Sequence, residues 1–135
     1  MIQNCTFCDI VQGKIDGKIV YQDKDVTCFL DKSPINEGHL LLVPNEHYLD
    51  IDDMPDTLVR HISVISKKIV MALKEAYNAD GYSIMQNGGA FNDIGHYHMH
   101  IFPRYCEDNF GWVFENNVLY SKEKTCQKII DALNK

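Results

Sequence analysis

Three of the six histidines in this 135-residue chain lie at every second position of one short stretch, as His96, His98 and His100. In a β-strand, residues at this spacing project from the same face and lie about 6.6 Å apart at Cα. Imidazoles at that distance suit two chemistries. They can converge on one metal ion, or they can stand side by side along an extended substrate such as a chain of phosphates.

The residues between the histidines predict a strand with two different faces. Tyr97, Met99 and Ile101 alternate with the histidines and can serve the core. A loop rich in small and polar residues, 87–95, precedes the stretch. The apolar face already accounts for burial, so the histidine face indicates a functional site.

Two of the five cysteines, Cys5 and Cys8, form a C-x-x-C pair near the start of the chain. An odd number of cysteines without a secretory signal indicates reduced thiols or metal ligands rather than a disulfide framework. A second metal hypothesis places a catalytic ion on the three clustered histidines, with Asp93 managing its bound water. The residues alone leave both metal hypotheses open.

Hydrophobic periodicity predicts the elements that must position these residues. Short apolar runs predict strands over 19–22, 26–30, 39–44, 82–86 and 96–102. A stripe with helical spacing predicts one long helix over about 55–78, ended by Asp80-Gly81 with glycine at positive φ. A short amphipathic helix is expected after Ser121, packed on the body or on a partner. This order predicts an α+β fold with an antiparallel sheet of about five strands.

Composition predicts one folded domain over 1–135. Apolar residues make up 45% of the chain, and no repeat or low-complexity tract interrupts it. The net charge of -6 disfavours binding to nucleic acid. The chain has neither the basic start of a signal peptide nor an apolar run that could span a bilayer, so we expect a cytoplasmic protein without membrane contact.

The stretch H-Y-H-M-H-I-F resembles the signature of the histidine triad (HIT) family of nucleotide hydrolases and transferases. The resemblance also covers C-T-F-C-D-I-V, F-L-D-K-S-P, G-H-L-L-L-V-P-N-E-H and the asparagine-glycine loop, in the family's order, over residues 5 to about 105. Residues 106–135 form a C-terminal extension. The resemblance implies a HIT-like fold and a homodimer whose sheets join edge to edge.

The resemblance also implies an activity, cleavage at the α-phosphorus of nucleoside phosphoramidates or dinucleoside polyphosphates, with a purine nucleotide as the expected partner. His98 is the implied nucleophile, forming a nucleotidyl-histidine intermediate, and His100 is implied to hold a phosphate oxygen. The implied substrate-binding residues are Phe7, Ile10 and Phe29 around the base, Asp31 on the ribose hydroxyls, and Asn87, Asp93 and Ile94 in the loop before the triad.

In many bacterial members of the family, two cysteines and two histidines hold a structural zinc ion. The corresponding residues here are Cys5, Cys8, His47 and His96. Four nitrogen and sulfur ligands without an open position are the composition of a structural site. The resemblance therefore implies one Zn²⁺ that pins the N-terminal segment to the triad.

Asp93 departs from the family pattern, because many relatives have a serine or threonine at this position. A hydroxyl can donate to a leaving-group oxygen, whereas an ionised carboxylate only accepts and repels phosphate. This departure motivates an alternative, a nucleotide-binding or interaction module with little turnover. Trp112 is a further candidate, for closing the pocket or a dimer interface or for ordinary core packing.

Overall fold

The computed structural model describes residues 4–135 and contains one five-stranded antiparallel sheet. Its strands, in the spatial order β1-β2-β3-β5-β4, are β1 (Ile19–Gln22), β2 (Val26–Leu30), β3 (Leu40–Pro44), β4 (Gly81–Met85) and β5 (Met99–Arg104). The helices are α1 (Thr6–Val11), α2 (Asp56–Tyr77) and α3 (Lys122–Leu133). The predicted α+β fold is confirmed.

Helix α2 covers one face of the sheet. Its buried stripe packs on side chains that alternate along β2, β3 and β5, and this cluster includes Ile62, Ile65, Ile69, Leu73, Val26, Leu42, Tyr97 and Ile101. Helix α1 covers part of the other face, where Phe7 and Ile10 pack with Phe29, Leu41 and Val43. The central strands are therefore buried on both faces, as their continuous apolar sequences predict.

The end of α2 and the presence of α1 differ from the sequence prediction. The chain at the end of α2 turns at Asn78, which adopts the left-handed conformation with φ 47°, while Gly81 is the first residue of β4. Asparagine tolerates this conformation because its short polar side chain bonds locally. Helix α1 was not predicted, since its six residues are too few to show a helical period.

The predicted histidine strand begins three residues later than expected. Pairing of β5 with β3 starts at Met99, and the backbone N–H of Tyr97 instead donates to the carbonyl of Tyr48 at 2.7 Å. The alternation of faces nevertheless holds. Tyr97 is buried in the α2 cluster, whereas His96 and His98 are buried on the opposite side.

The C-terminal extension is anchored where it leaves β5. Arg104 makes a two-pronged ion pair with Asp108 through Nε at 2.6 Å and Nη2 at 3.0 Å, and it also donates to the carbonyl of Phe110 at 2.6 Å. Asn36 donates to the same carboxylate at 3.0 Å. Beyond this anchor, every residue from Gly111 to Lys135 is exposed, so α3 does not pack on the body of its own chain. No helix within residues 4–135 is both long and apolar enough to cross a membrane.

The Arg104–Asp108 ion pair makes the free energy of unfolding depend on pH. The Arg104 guanidinium holds the pKa of the Asp108 carboxyl well below its usual range. Such a group stabilises the fold fully above its ordinary pKa near 3.9, and the contribution is lost as the pH falls through the lower folded value. We expect Asp108→Asn to lower the melting temperature by several degrees at pH 7, and the deficit to shrink below about pH 4. Melting curves of this variant, beside Glu107→Gln as an exposed neighbouring control, check this; an equal deficit at pH 3 and pH 7 would contradict it.

Candidate active site and metal centre

A cavity of about 300 Å³ opens at the start of β5. It lies where β5 meets the end of β4 and the segment between β2 and β3. Its lining residues are Asp31, Ser33, Ile35, His39, Met85, Asn87, Phe91, Asp93 and His100. The lining contains two carboxylates and, within the described residues 4–135, neither lysine nor arginine.

His98 stands beside this cavity with one ring nitrogen free. Its Nδ1 lies 2.8 Å from the backbone carbonyl oxygen of His96, which can only accept, so Nδ1 carries the proton. Nε2 is therefore the unprotonated nitrogen of the neutral ring, and it lies 3.7 Å from Oδ1 of Asp93. The ring is 3% exposed and the edge of Phe7 packs against it, with centroids 5.3 Å apart. A buried imidazole in one fixed tautomer is a preorganised nucleophile.

His100 is oriented by a second hydrogen-bonded chain, which begins at the backbone N–H of Ile35. That group donates to Nδ1 of His39 at 3.0 Å, so the proton of the neutral His39 ring is on Nε2. His39 Nε2 in turn donates to His100 Nδ1 at 2.9 Å. His100 therefore carries its own proton on Nε2, where it is a hydrogen-bond donor rather than a base.

Burial keeps these two rings neutral. It lowers the pKa of both His39 and His100 below the ordinary value near 6.5, although the Asp31 carboxylate partly offsets the effect at each ring. Oδ2 of Asp31 lies 3.4 Å from His39 Nε2 and 3.6 Å from His100 Nδ1. Its Oδ1 accepts from the backbone N–H of Ser33 at 2.9 Å, which holds the carboxylate at the edge of the cavity.

The loop before the triad is tied to the segment that follows β3. Asp50 accepts the backbone N–H of Gly89 at 2.7 Å, and a Cβ at Gly88 would approach Oδ1 of Asp50 to 2.6 Å. Asn92 donates to the carbonyl of Leu49 at 2.8 Å and accepts the N–H of Gly95 at 2.9 Å. These bonds fix the loop that presents Asn87 and Asp93 to the cavity.

A second group of donor atoms lies behind the triad. One ligand atom from each of Cys5, Cys8, His47 and His96 falls within 4.8 Å of the others. Nδ1 of His96 lies 3.4 Å from Sγ of Cys5 and 3.6 Å from Sγ of Cys8, and Nδ1 of His47 lies 3.3 Å from Sγ of Cys8. The four residues come from α1, the segment after β3 and the start of the triad, and together they could hold a metal ion.

The hydrogen bonding of His96 leaves its Nδ1 able to bind a metal ion. Its Nε2 donates to the carbonyl of Pro44 at 2.9 Å, which leaves the lone pair of Nδ1 directed at the two thiols. Burial lowers its pKa to about 4, so the ring is neutral at physiological pH. The alternative of one ion on all three triad histidines does not match this arrangement, because His96 Nδ1 faces the cysteines and His98 Nδ1 is bonded to a carbonyl.

The structure brings together most of the residues that the sequence singled out. Asp31, Asn87, Asp93 and His100 line one cavity with His98 beside it, whereas Ile94 is exposed and does not line it. The three predicted base contacts do not line it either. They are buried in the α1 cluster, with exposures of 6% for Phe7, 7% for Ile10 and 1% for Phe29.

Sequence reasoning missed His39 and Asp50. His39 is 2% exposed, directly before the buried strand β3. A histidine beside L-L-L-V-P is costly to bury without a partner, and this signal could have identified it as a member of the site. Asp50 left no comparable signal, because its acceptor role depends on a backbone N–H 39 residues away.

Within residues 4–135, the antiparallel sheet, the long helix α2 and the row of triad imidazoles define an α+β domain with histidines at the edge of a cavity. A model of the HIT domain family matches residues 12–107, and the chain belongs to this family. Protein hit of Bacillus subtilis is 34% identical over 136 residues, covering 98% of this chain and 94% of that protein. Adenosine 5'-monophosphoramidase of Candida albicans is 30% identical over 141 residues, covering 98% and 93% respectively.

Solved structures show the same architecture. A HIT family protein from Bacillus anthracis superimposes with a TM-score of 0.88 at 32% identity, covering 99% of this chain and 97% of that chain. A zinc-bound histidine triad family protein from Mycobacterium smegmatis superimposes with a TM-score of 0.76 at 30% identity, covering 97% and 94%. The resemblance drawn from the motifs is thereby confirmed for the family and the fold.

Proposed function

We propose that this protein is a nucleotide hydrolase or transferase that cleaves at the α-phosphorus of nucleoside phosphoramidates or dinucleoside polyphosphates. The observation that carries the proposal is the tautomer of His98, whose bare Nε2 adjoins the cavity lined by His100 and Asp31. The name of the Candida albicans relative, an adenosine monophosphoramidase, supports hydrolysis of this kind.

The proposed reaction has two displacements at phosphorus. Nε2 of His98 attacks the α-phosphorus and the leaving group departs, which forms a nucleotidyl-histidine; water then attacks the same phosphorus. His100 donates from Nε2 to a phosphate oxygen, so developing negative charge meets a preorganised donor. Because the described residues that line the cavity include neither lysine nor arginine, this donor and nearby backbone N–H groups carry the recognition of phosphate.

The nucleoside is proposed to lie along the Asp31 side of the cavity. The carboxylate of Asp31 suits two neighbouring ribose hydroxyls, and Asn87 reaches the phosphates or the leaving group. Phe7, Ile10 and Phe29 remain predicted base contacts. Phe7 packs against His98, Ile10 and Phe29 are buried in the same cluster as Phe7, and the low exposure of all three means that a base would reach only their edges. Ile94, which is exposed in the same loop, remains a predicted substrate contact.

Replacing the nucleophile tests the activity. We expect His98→Gln to lower kcat/KM for an adenosine phosphoramidate by about 10³-fold or more, because no other imidazole within residues 4–135 presents a bare nitrogen to the cavity. The matched control is His61→Gln, whose ring pairs with Asp23 between β1 and β2 and does not line the cavity; this change should leave turnover unchanged. Intact-mass analysis of His100→Ala, incubated with substrate, should reveal an added nucleotidyl group.

The binding-module alternative makes the opposite forecast. If folded wild-type protein binds AMP yet shows neither turnover nor an adduct, the enzyme proposal is wrong and a nucleotide-binding module is left. The exposed carboxylate of Asp93 near His98 is the observation that favours this second candidate.

We also propose that Cys5, Cys8, His47 and His96 hold one structural Zn²⁺. Tetrahedral zinc with ordinary Zn–S and Zn–N bonds separates sulfur and nitrogen ligands by about 3.6 Å, close to the 3.3–3.6 Å between the thiols and imidazoles here. The zinc-bound Mycobacterium smegmatis relative supports this assignment. The ion would cross-link α1 to the triad without contacting substrate.

Metal analysis tests the zinc site. We expect about one zinc per chain in protein purified without chelator, and a loss of most of it in Cys5→Ser. The melting temperature of that variant should fall by about 5 °C or more, since binding stabilises the folded state. Cys126→Ser, at an exposed cysteine of α3, is the control and should retain the metal. Full zinc occupancy in Cys5→Ser would contradict the assignment.

We propose further that the protein is a homodimer in which the C-terminal extension packs on the second copy. A 12-residue helix without tertiary contacts is marginal in water, yet α3 stands free of its own chain. The extension exposes Trp112, Val113, Phe114, Leu119, Ile129 and Leu133.

The edge strand β4 and α2 also expose apolar side chains, among them Tyr82, Ile84 and Met71, and an open edge favours pairing. The exposed part of the extension, residues 111–135, carries four lysines against three acidic residues and suits an acidic body.

Sedimentation velocity tests the dimer. We expect the wild type to sediment at twice the chain mass at micromolar concentration, and Leu119→Asp combined with Ile130→Asp to shift it toward the monomer, because a charge in an apolar contact is costly. Asn116→Asp changes the charge of the extension at a polar position and serves as the control. A monomeric wild type would overturn the proposal.

A further inference from the structure

We infer that Asp93 is the general base that activates water in the second step, the hydrolysis of nucleotidyl-His98. The inference rests on the proposed function. It assigns to this chain's own carboxylate a task that a serine or threonine hydroxyl could not perform at neutral pH, because a hydroxyl is too weak a base.

The position of Asp93 relative to Nε2 carries the argument. In an in-line displacement, water attacks opposite Nε2 and approaches to about 5 Å from that nitrogen, the sum of a P–N bond and a near-attack distance. Oδ1 of Asp93 lies 3.7 Å from Nε2 on the open side of the ring. Rotation about its own side-chain bonds would move this carboxylate clear of the phosphoryl group and into hydrogen-bonding range of the water, while Asp93 stays in the cavity lining.

Asp93 is also the uncommitted acceptor at this place. In the part of the chain that the structure describes, no N–H or O–H group donates to its carboxylate, and the side chain is 84% exposed. The other candidate bases have partners. His100 Nδ1 accepts from His39, and Asp31 accepts from Ser33 through Oδ1 while its Oδ2 lies beside His39 and His100. A proton that Asp93 takes can pass directly to solvent.

The backbone that presents Asp93 is held from both sides. Asn92 Oδ1 accepts the N–H of Ile94 at 3.3 Å and of Gly95 at 2.9 Å, and Asn92 Nδ2 donates to the carbonyl of Leu49. The carboxylate is therefore mobile only about its own side-chain bonds. Because the turn is held in place, the distance between this base and the reacting phosphorus stays nearly constant.

The step balances without a further reactant. The water oxygen forms a bond to phosphorus while the P–Nε2 bond breaks, and its electron pair returns to the imidazole. The proton of the water goes to the Asp93 carboxylate. The products are a nucleoside monophosphate and neutral His98 in its starting tautomer.

The decay of the covalent intermediate isolates this step. The experiment uses the wild type, Asp93→Asn and a control, Asp25→Asn, which changes an exposed aspartate on the β1–β2 turn. Each protein, in molar excess, is mixed with an adenosine phosphoramidate of a fluorescent amine. Release of the amine reports formation of the intermediate, and quenched-flow intact mass reports its decay. We expect decay to slow about 10²-fold or more in Asp93→Asn, while amine release in the first turnover stays within a few-fold of wild type. The intermediate then accumulates, and kcat and KM fall together.

A second variant separates base chemistry from a structural role. Asp93→Ala should show the same slow decay, and added formate should accelerate it, because a small carboxylate can take the vacant place. Decay at the wild-type rate in Asp93→Asn, or a loss confined to amine release, overturns the role of Asp93 while leaving the proposed function intact. Absence of amine release and of adduct in the wild type overturns both.

Discussion

The hydrogen bond from His98 Nδ1 to the carbonyl of His96 decides which nitrogen of the proposed nucleophile faces substrate. That carbonyl is free to accept because the backbone has not yet entered the sheet at residue 96. Pairing of β5 with β3 begins at Met99. Had the strand run from 96 as its alternating sequence predicts, this carbonyl would be directed toward a neighbouring strand. The late start of β5 is therefore part of the site, and the nearby bond from Tyr97 to Tyr48 compensates for the lost pairing.

His96 connects the cysteine and histidine cluster to the proposed nucleophile His98. Its side chain faces the thiols of Cys5 and Cys8, and its main chain holds His98. Any ion bound by this cluster would fix the start of the triad in place, and the Phe7 ring of α1 would be held against His98 by the same cross-link. The metal centre would then act on the chemistry through position alone. Such a cross-link would also stabilise the short helix α1, because its six residues have little helical stability of their own.

The sequence predicted the helices and strands whose apolar residues recur at a regular spacing. Helix α2 and the strands β1, β2 and β3 follow from regular apolar spacing, and the face of each triad residue follows from alternation. The start of β5, helix α1 and the cap at Asn78 depend on single tertiary contacts, which leave no periodic signal. In the site, the resemblance to the HIT family supplied the predictions for His98, His100 and the four metal-ligand candidates. Asp50 was missed because its partner is a backbone N–H 39 residues away, whereas His39 was missed although its place beside an apolar strand is a signal in the sequence.

The hydrogen bond from His98 to a carbonyl, and the chain from Ile35 through His39 to His100, set the tautomers of the proposed active-site histidines before substrate arrives. Nitrogen-15 NMR of histidine-labelled protein at neutral pH measures those tautomers directly. We expect His98 to carry its proton on Nδ1, with a bare Nε2, whereas His39 and His100 both carry theirs on Nε2. A His98 ring with its proton on Nε2 would leave no lone pair facing the cavity and would contradict the account.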